Sequence, residues 1–125
     1  MAKILVVDSD ARNLRLAATV LEKAGHEVLG ASGGAEGIEA ALTHAPALVL
    51  MDVQMPDMDG ITALARLRAE PRCVSMKLVA LTALAMNGDR ERLLAAGFDG
   101  YFEKPIRYKE FLAYVAAMLN EATHG

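Results

Sequence analysis

What most narrows the fold of this 125-residue chain is an alternation: short aliphatic runs are separated by segments with helical spacing, five times over. Lys3–Val7 is almost continuously aliphatic, the pattern of a strand buried on both faces. Arg12–Ala24 follows with Ala17, Val20, Leu21 and Ala24 on one helical face, and Gly25 stops it. His26–Ala31 reads as a second strand, and Ser32 is expected to cap a weaker helix to about His44, whose Ala35, Ile38 and Leu42 share a face. Ala47–Met51, after the breaker Pro46, is the third strand. A loop, Gln54–Asp59, leads into a helix that carries Ile61 and Leu64 and ends near Pro71. Asp57 and Asp59 are expected to turn this loop and cap that helix. Met76–Leu81 is the fourth strand and about Asn87–Ala96 the fourth helix, stopped by Gly97. Gly100–Glu103 is a short fifth strand. The last helix, about Arg107–Glu121, is expected to bury Tyr108, Phe111, Leu112, Val115 and Leu119.

Strands that alternate with helices imply an α/β fold, a doubly wound parallel sheet with right-handed crossovers and helices on both faces. For five units the common solution is the flavodoxin-like (βα)5 arrangement, strand order 2-1-3-4-5, with ligands gathering at the carboxyl ends of the strands. The length suits one domain spanning residues 1–125, and an apolar content of 54% is enough for a sizeable core. The net charge of −3, without a basic run, speaks against a nucleic-acid surface. Charged residues interrupt every apolar stretch before it reaches membrane-spanning length. The first strand follows Met1 so closely that no signal peptide is expected. The single cysteine, Cys73, excludes an internal disulfide and fits a reducing cytoplasm; it reads as an incidental loop thiol. The methionines read as core or loop filler, and His26, His44 and His124 have no ligand spacing.

The polar residues that directly follow the strands carry the functional signal. The first strand ends at Asp8-Ser9-Asp10, the third at Asp52 and the fourth at Thr82, and the fifth leads to Lys104-Pro105. In a 2-1-3-4-5 sheet these ends converge on one crevice. Carboxylates crowded in a partly buried site repel one another unless a cation intervenes, and a divalent ion with oxygen ligands, most naturally Mg²⁺, fits that need. The ammonium of Lys104 and the hydroxyl of Thr82 would suit a phosphoryl group, and an aspartate carboxylate can accept one covalently.

The run Ile4–Asp8, the segment LVLMDVQMPDMDG (residues 48–60), Leu81-Thr82-Ala83 and Gly100–Pro105 together resemble the receiver domains of bacterial response regulators, the CheY-like family, over essentially the whole chain. The stretch LTALAMNGDRERLLAAGFDGYFEKP (residues 81–105) looks most like phosphorelay receivers. The resemblance implies that Asp52 is the phosphoacceptor, and that Asp8, Asp52 and the backbone carbonyl of Gln54 hold Mg²⁺. It implies that Thr82 bonds the phosphoryl oxygen, Lys104 pairs with it and Tyr101 is an aromatic switch. The Lys104-Pro105 bond is expected to be cis. Implied partners are a histidine kinase or histidine phosphotransferase and a downstream protein, met on a face built by helix four, strand five and helix five. Neither DNA nor a membrane is an implied partner. The domain would be a cytoplasmic signalling phosphoacceptor rather than an enzyme, taking part only in its own phosphorylation and dephosphorylation.

The chain departs from the family at two places. Most receivers carry two consecutive acidic residues after the first strand, whereas here Ser9 stands where the second carboxylate is expected, and weaker Mg²⁺ binding follows. Asp10 is a candidate to replace it, directly or through water, although its ordinary use would be to cap helix one. Leu84, two residues beyond Thr82, cannot orient water, which points to slow self-dephosphorylation. Two other functions compete. A phosphatase resembling the haloacid-dehalogenase group would use Asp8 of Asp8-Ser9-Asp10 as nucleophile, but no acidic pair follows Lys104 on a strand end and the segment around Asp52 stays unexplained. A pseudo-receiver would bind its partner without phosphorylation, against the retention of Asp8, Asp52, Thr82 and Lys104.

Overall fold

The computed structural model describes residues 2–73, 75–83 and 89–124. Five strands, β1 (Lys3–Val7), β2 (Glu27–Ala31), β3 (Leu48–Asp52), β4 (Lys77–Thr82) and β5 (Gly100–Glu103), alternate with five helices. The helices are α1 (Ala11–Lys23), α2 (Gly34–His44), α3 (Gly60–Arg68), α4 (Asp89–Ala96) and α5 (Tyr108–His124), and a 3₁₀ turn covers Pro71–Cys73. All strand pairs are parallel, in the order β2-β1-β3-β4-β5. The expected flavodoxin-like topology is the one observed.

The aliphatic strands are explained by a core on each side of the sheet. Because successive side chains point to opposite faces, β1 sends Leu5 and Val7 to one side and Ile4 and Val6 to the other. The first side joins Val49, Met51, Leu78 and Ala80 to Ala41 of α2, Leu64 and Leu67 of α3 and Leu93 of α4. The second joins Leu48, Leu50, Val79 and Leu81 to Ala17, Val20 and Leu21 of α1 and Phe111, Val115 and Met118 of α5. A strand that meets helices on both faces has no room for polar alternation.

Helix ends show where local signals sufficed and where they did not. Gly25 and Gly97, with φ of +94° and +122°, end α1 and α4 as expected. Asp10 caps α1 by accepting the Arg12 N–H at 2.9 Å, and Asp59 caps α3 by accepting the Thr62 N–H at 2.8 Å. Ser32 does not cap α2. The cap position is Gly33, and the Ser32 hydroxyl instead lies 3.1 Å from Glu36 Oε2. Asp57 caps α2 from a distance rather than α3, since its carboxylate accepts the N–H groups of Gly34 and Ala35.

The buried face of α2 is Gly34, Gly37 and Ala41, not Ala35, which is exposed, because the helix lies so close to β1 that a Cβ on Gly37 would come within 2.8 Å of Val7 Cγ2. At the other end of the chain, Tyr108 is 54% exposed rather than buried; it is the first residue of α5, while the core face is carried by Phe111, Val115 and Met118. Cys73 is fully buried in the 3₁₀ turn, and burial pushes its thiol up. Asn87, the expected start of α4, lies outside the described residues.

Candidate functional site at the carboxyl edge of the sheet

Asp8, Asp52 and Thr82 are the buried polar or charged side chains among the described residues, and all three sit at the carboxyl edge of neighbouring strands. Burying a charge is unfavourable unless it is paired, and the structure provides one cation for both carboxylates. Lys104 Nζ lies 2.9 Å from Asp8 Oδ2 and 3.3 Å from Asp52 Oδ2. Thr82 joins this group through its backbone, because its carbonyl accepts the Lys104 N–H at 2.8 Å as the chain leaves β5. The Lys104-Pro105 bond that follows is cis.

Each carboxylate is also fastened by its own loop. Asp8 Oδ1 accepts the Asp10 N–H at 2.8 Å, and Asp52 Oδ1 accepts the Gln54 N–H at 3.1 Å. Gly60 closes the loop after β3: its N–H donates to the Val53 carbonyl at 2.8 Å, and a Cβ there would stand 2.9 Å from the Asp52 carbonyl oxygen. Burial pushes the Asp52 carboxyl up, against the Gln54 N–H and the Lys104 ammonium, which favour its charged form. Burial also works to lower Lys104, but the two carboxylates outweigh it and hold the ammonium above its ordinary value.

Among the described residues, Asp8, Asp52 and Lys104 form a group of two carboxylates and one ammonium, which together carry an excess negative charge when all three are ionised. Asp8 Oδ2 is buried and, despite its ion-pair neighbour, makes no hydrogen bond of good geometry. A buried oxygen in that condition fits a hard cation. Mg²⁺ typically takes one or two carboxylates and keeps several waters, so Asp8, Asp52 and the Gln54 carbonyl suit it as a donor set. No group of three or more His, Cys, Asp or Glu that could hold a metal occurs among the described residues. Ser9 is exposed and, with Gln54, Asp59 and Arg92, lines a cleft of about 580 Å³ next to the carboxylates.

The structure thus brings together Asp8, Asp52, Thr82 and Lys104, with Gln54 and Ser9 at the rim. It does not turn Asp10 inward: that residue is exposed, and its Oδ1 is occupied by the backbone of α1, as expected of a helix cap. Tyr101 is half-buried against the core side that holds α2, α3 and α4, and the Arg90 guanidinium lies 5.7 Å from its ring centroid. Leu84 lies outside the described residues. Sequence reasoning missed Arg90, Arg92 and the remote cap made by Asp57, since spacing gave no sign that these surfaces would meet.

The family profile described as response regulator receiver domain matches residues 4–116. A polar-differentiation response regulator, DivK, from Brucella anthropi is 30% identical over 119 residues, which cover 95% of this chain and 97% of that protein. A CheY-like receiver domain protein from Methanospirillum hungatei superimposes with a TM-score of 0.90 at 29% identity, covering 99% of this chain and 98% of its own. The receiver domain of a sensor histidine kinase from Pseudomonas aeruginosa, described with a magnesium ion coordinated in its active-site cleft, gives a TM-score of 0.87 at 28% identity, with coverages of 95% and 98%. Among the described residues, no helix is long and apolar enough to cross a membrane.

Proposed function

Because this chain belongs to the response regulator receiver domain family, we propose that it accepts a phosphoryl group on Asp52 from a histidine kinase or histidine phosphotransferase in an Mg²⁺-dependent reaction. The observation that carries this reading is the convergence of the two buried carboxylates on Lys104 Nζ, at 2.9 and 3.3 Å. In the transfer, the P–N bond of a phosphohistidine breaks and its electron pair returns to the imidazole, which takes up a proton from solvent. A P–O bond forms to a carboxylate oxygen of Asp52. The Gln54 N–H orients that carboxylate, and Lys104 is placed to neutralise a phosphoryl oxygen. Asp8, Asp52 and the Gln54 carbonyl would hold Mg²⁺, which supplies further charge neutralisation when bound.

Phosphorylation changes the balance of charge at the ends of β3, β4 and β5, and the response passes to Thr82 and Tyr101. Thr82 is drawn toward the phosphoryl group, and Tyr101 leaves its present place beside Arg90, altering the face built by α4, β5 and α5 for a protein partner. The domain works as a cytoplasmic signalling element and not as an enzyme with a substrate of its own.

Intact-mass measurement after acetyl phosphate treatment tests the assignment. The wild type is expected to gain one phosphoryl group with Mg²⁺ and none with chelator, and Asp52→Asn none in either condition. A gain that survives Asp52→Asn but disappears in Asp8→Asn would transfer the nucleophile to Asp8 and favour the phosphatase chemistry. An unmodified wild type at saturating Mg²⁺ would leave a receiver that binds without phosphorylation.

A further inference from the structure

Asp57 belongs to the loop between β3 and α3, yet its carboxylate serves a different helix. Oδ1 accepts the Gly34 N–H at 3.0 Å and Oδ2 accepts the Ala35 N–H at 3.1 Å. Helix α2 needs this help, because its cap residue is Gly33, which has no side chain, and because Gly34 and Gly37 weaken its first turns. The two surfaces fit closely. A Cβ on Gly33 would stand 3.0 Å from Asp57 Oδ1, and one on Gly34 would stand 2.9 Å from Met58 Cβ.

The loop that Asp57 ties to α2 is the one that carries Gln54. Its N–H fastens Asp52, and its carbonyl belongs to the donor set assigned above to Mg²⁺. The loop is pinned at its far end by the Gly60–Val53 hydrogen bond and the Asp59 cap; across its middle, Asp57 ties it to α2. We propose that Asp57 is a positioning residue for Mg²⁺ binding: its two-oxygen grip on the N-terminus of α2 holds the Gln54 segment in the shape that completes the metal site. The proposal rests on the phosphoacceptor reading. Groups that orient metal ligands without touching the metal typically change its affinity by about 10–100-fold. Coupling is reciprocal, so Mg²⁺ in turn tightens the grip and slows exchange of the Gly34 and Ala35 amides.

The test uses the full chain: calorimetric Mg²⁺ titration and amide exchange by NMR on the wild type, Asp57→Ala, Asp57→Asn and Gly34→Ala, with circular dichroism to establish that each is folded. Asp57→Ala is expected to bind Mg²⁺ about tenfold more weakly, and Asp57→Asn, which keeps one acceptor oxygen, to fall between it and the wild type. Gly34→Ala crowds Met58 with Asp57 intact, and it too should weaken binding; with Asp57→Asn it carries the test if Asp57→Ala does not fold. Mg²⁺ should slow exchange at Gly34 and Ala35 in the wild type but not in Asp57→Ala. Folded variants with the wild-type Mg²⁺ affinity, and amides indifferent to Mg²⁺, would reduce Asp57 to a structural cap and overturn the inference while the phosphoacceptor reading stood. A wild type that takes up neither Mg²⁺ nor phosphate would remove that reading, and the inference with it.

Discussion

Lys104 is one ammonium between two carboxylates, and its side chain is only 14% exposed where Asp8 is 1% and Asp52 10%. Removing one partner of a buried ionic group is far more disruptive than replacing the whole group, because a charge remains without compensation. Lys104→Met is therefore expected to destabilise the domain by about 3 kcal/mol in chelator, and by clearly less at saturating Mg²⁺, which would neutralise the same oxygens. Urea denaturation at pH 7 in the two conditions measures this; an equal loss in both would show that metal and ammonium do not share these carboxylates. Ser9 offers the complementary change. A carboxylate there would add a charged donor at the rim of the same site, and ligand charge is a principal lever on affinity for hard cations. Ser9→Asp is expected to tighten Mg²⁺ binding roughly tenfold and, in chelator, to lower stability by repelling Asp8. Coincident calorimetric titrations of the two proteins would show that residue 9 does not reach the ion.

Helix α2 depends on tertiary contacts at both its N-terminus and its buried face. The Gly34 and Ala35 N–H groups hold the Asp57 carboxyl below its ordinary value of 3.8. A carboxylate with a depressed folded-state pKa stabilises the fold fully above its unfolded value and loses that contribution as pH falls through the folded value. The thermal midpoint of Asp57→Asn should therefore lie below that of the wild type by a steady margin above about pH 5, closing below 3.8; a margin independent of pH would mean that the charge is not involved. At the buried face, Gly37→Ala would gain about 1 kcal/mol of helix propensity. However, the new Cβ would sit 2.8 Å from Cγ2 and 3.0 Å from Cγ1 of Val7, a branched side chain on an interior strand that cannot swing away. Overpacking of about 1–3 kcal/mol should prevail, and a lower urea midpoint checks it. These contacts also mark where the sequence stopped being legible. The strands, their order and the four polar residues at their ends could be read from β1 to Lys104-Pro105, because buried parallel strands, and the polar residues that interrupt them at their carboxyl ends, leave local signatures. Ser32 looked like a cap by residue type, but the carboxylate that serves α2 comes from 23 residues away, and Tyr108 carried an apolar ring without the partners that would bury it. Pairings between elements leave no periodic trace.

At the scale of the molecule, the sheet separates two apolar cores, and its only described buried polar side chains lie along one edge. The site is therefore made by the fold: Asp8, Asp52, Thr82 and Lys104 come from four separate stretches of chain and approach one another only when β1, β3, β4 and β5 are paired in register. An unfolded chain has no such arrangement to offer a cation, so Mg²⁺ should bind the native state almost exclusively and stabilise it by mass action. At a free concentration one hundred times the Kd the gain is about 2.7 kcal/mol, which for a domain of this size moves the thermal midpoint by several degrees. The shift should grow with the logarithm of Mg²⁺ concentration above the Kd, and it should vanish in Asp8→Asn, whose amide removes one of the two buried carboxylates that draw the ion in. Thermal unfolding followed across an Mg²⁺ series in both proteins decides it. An equal rise in both would assign the effect to general screening of surface charge rather than to an ion seated between strand ends.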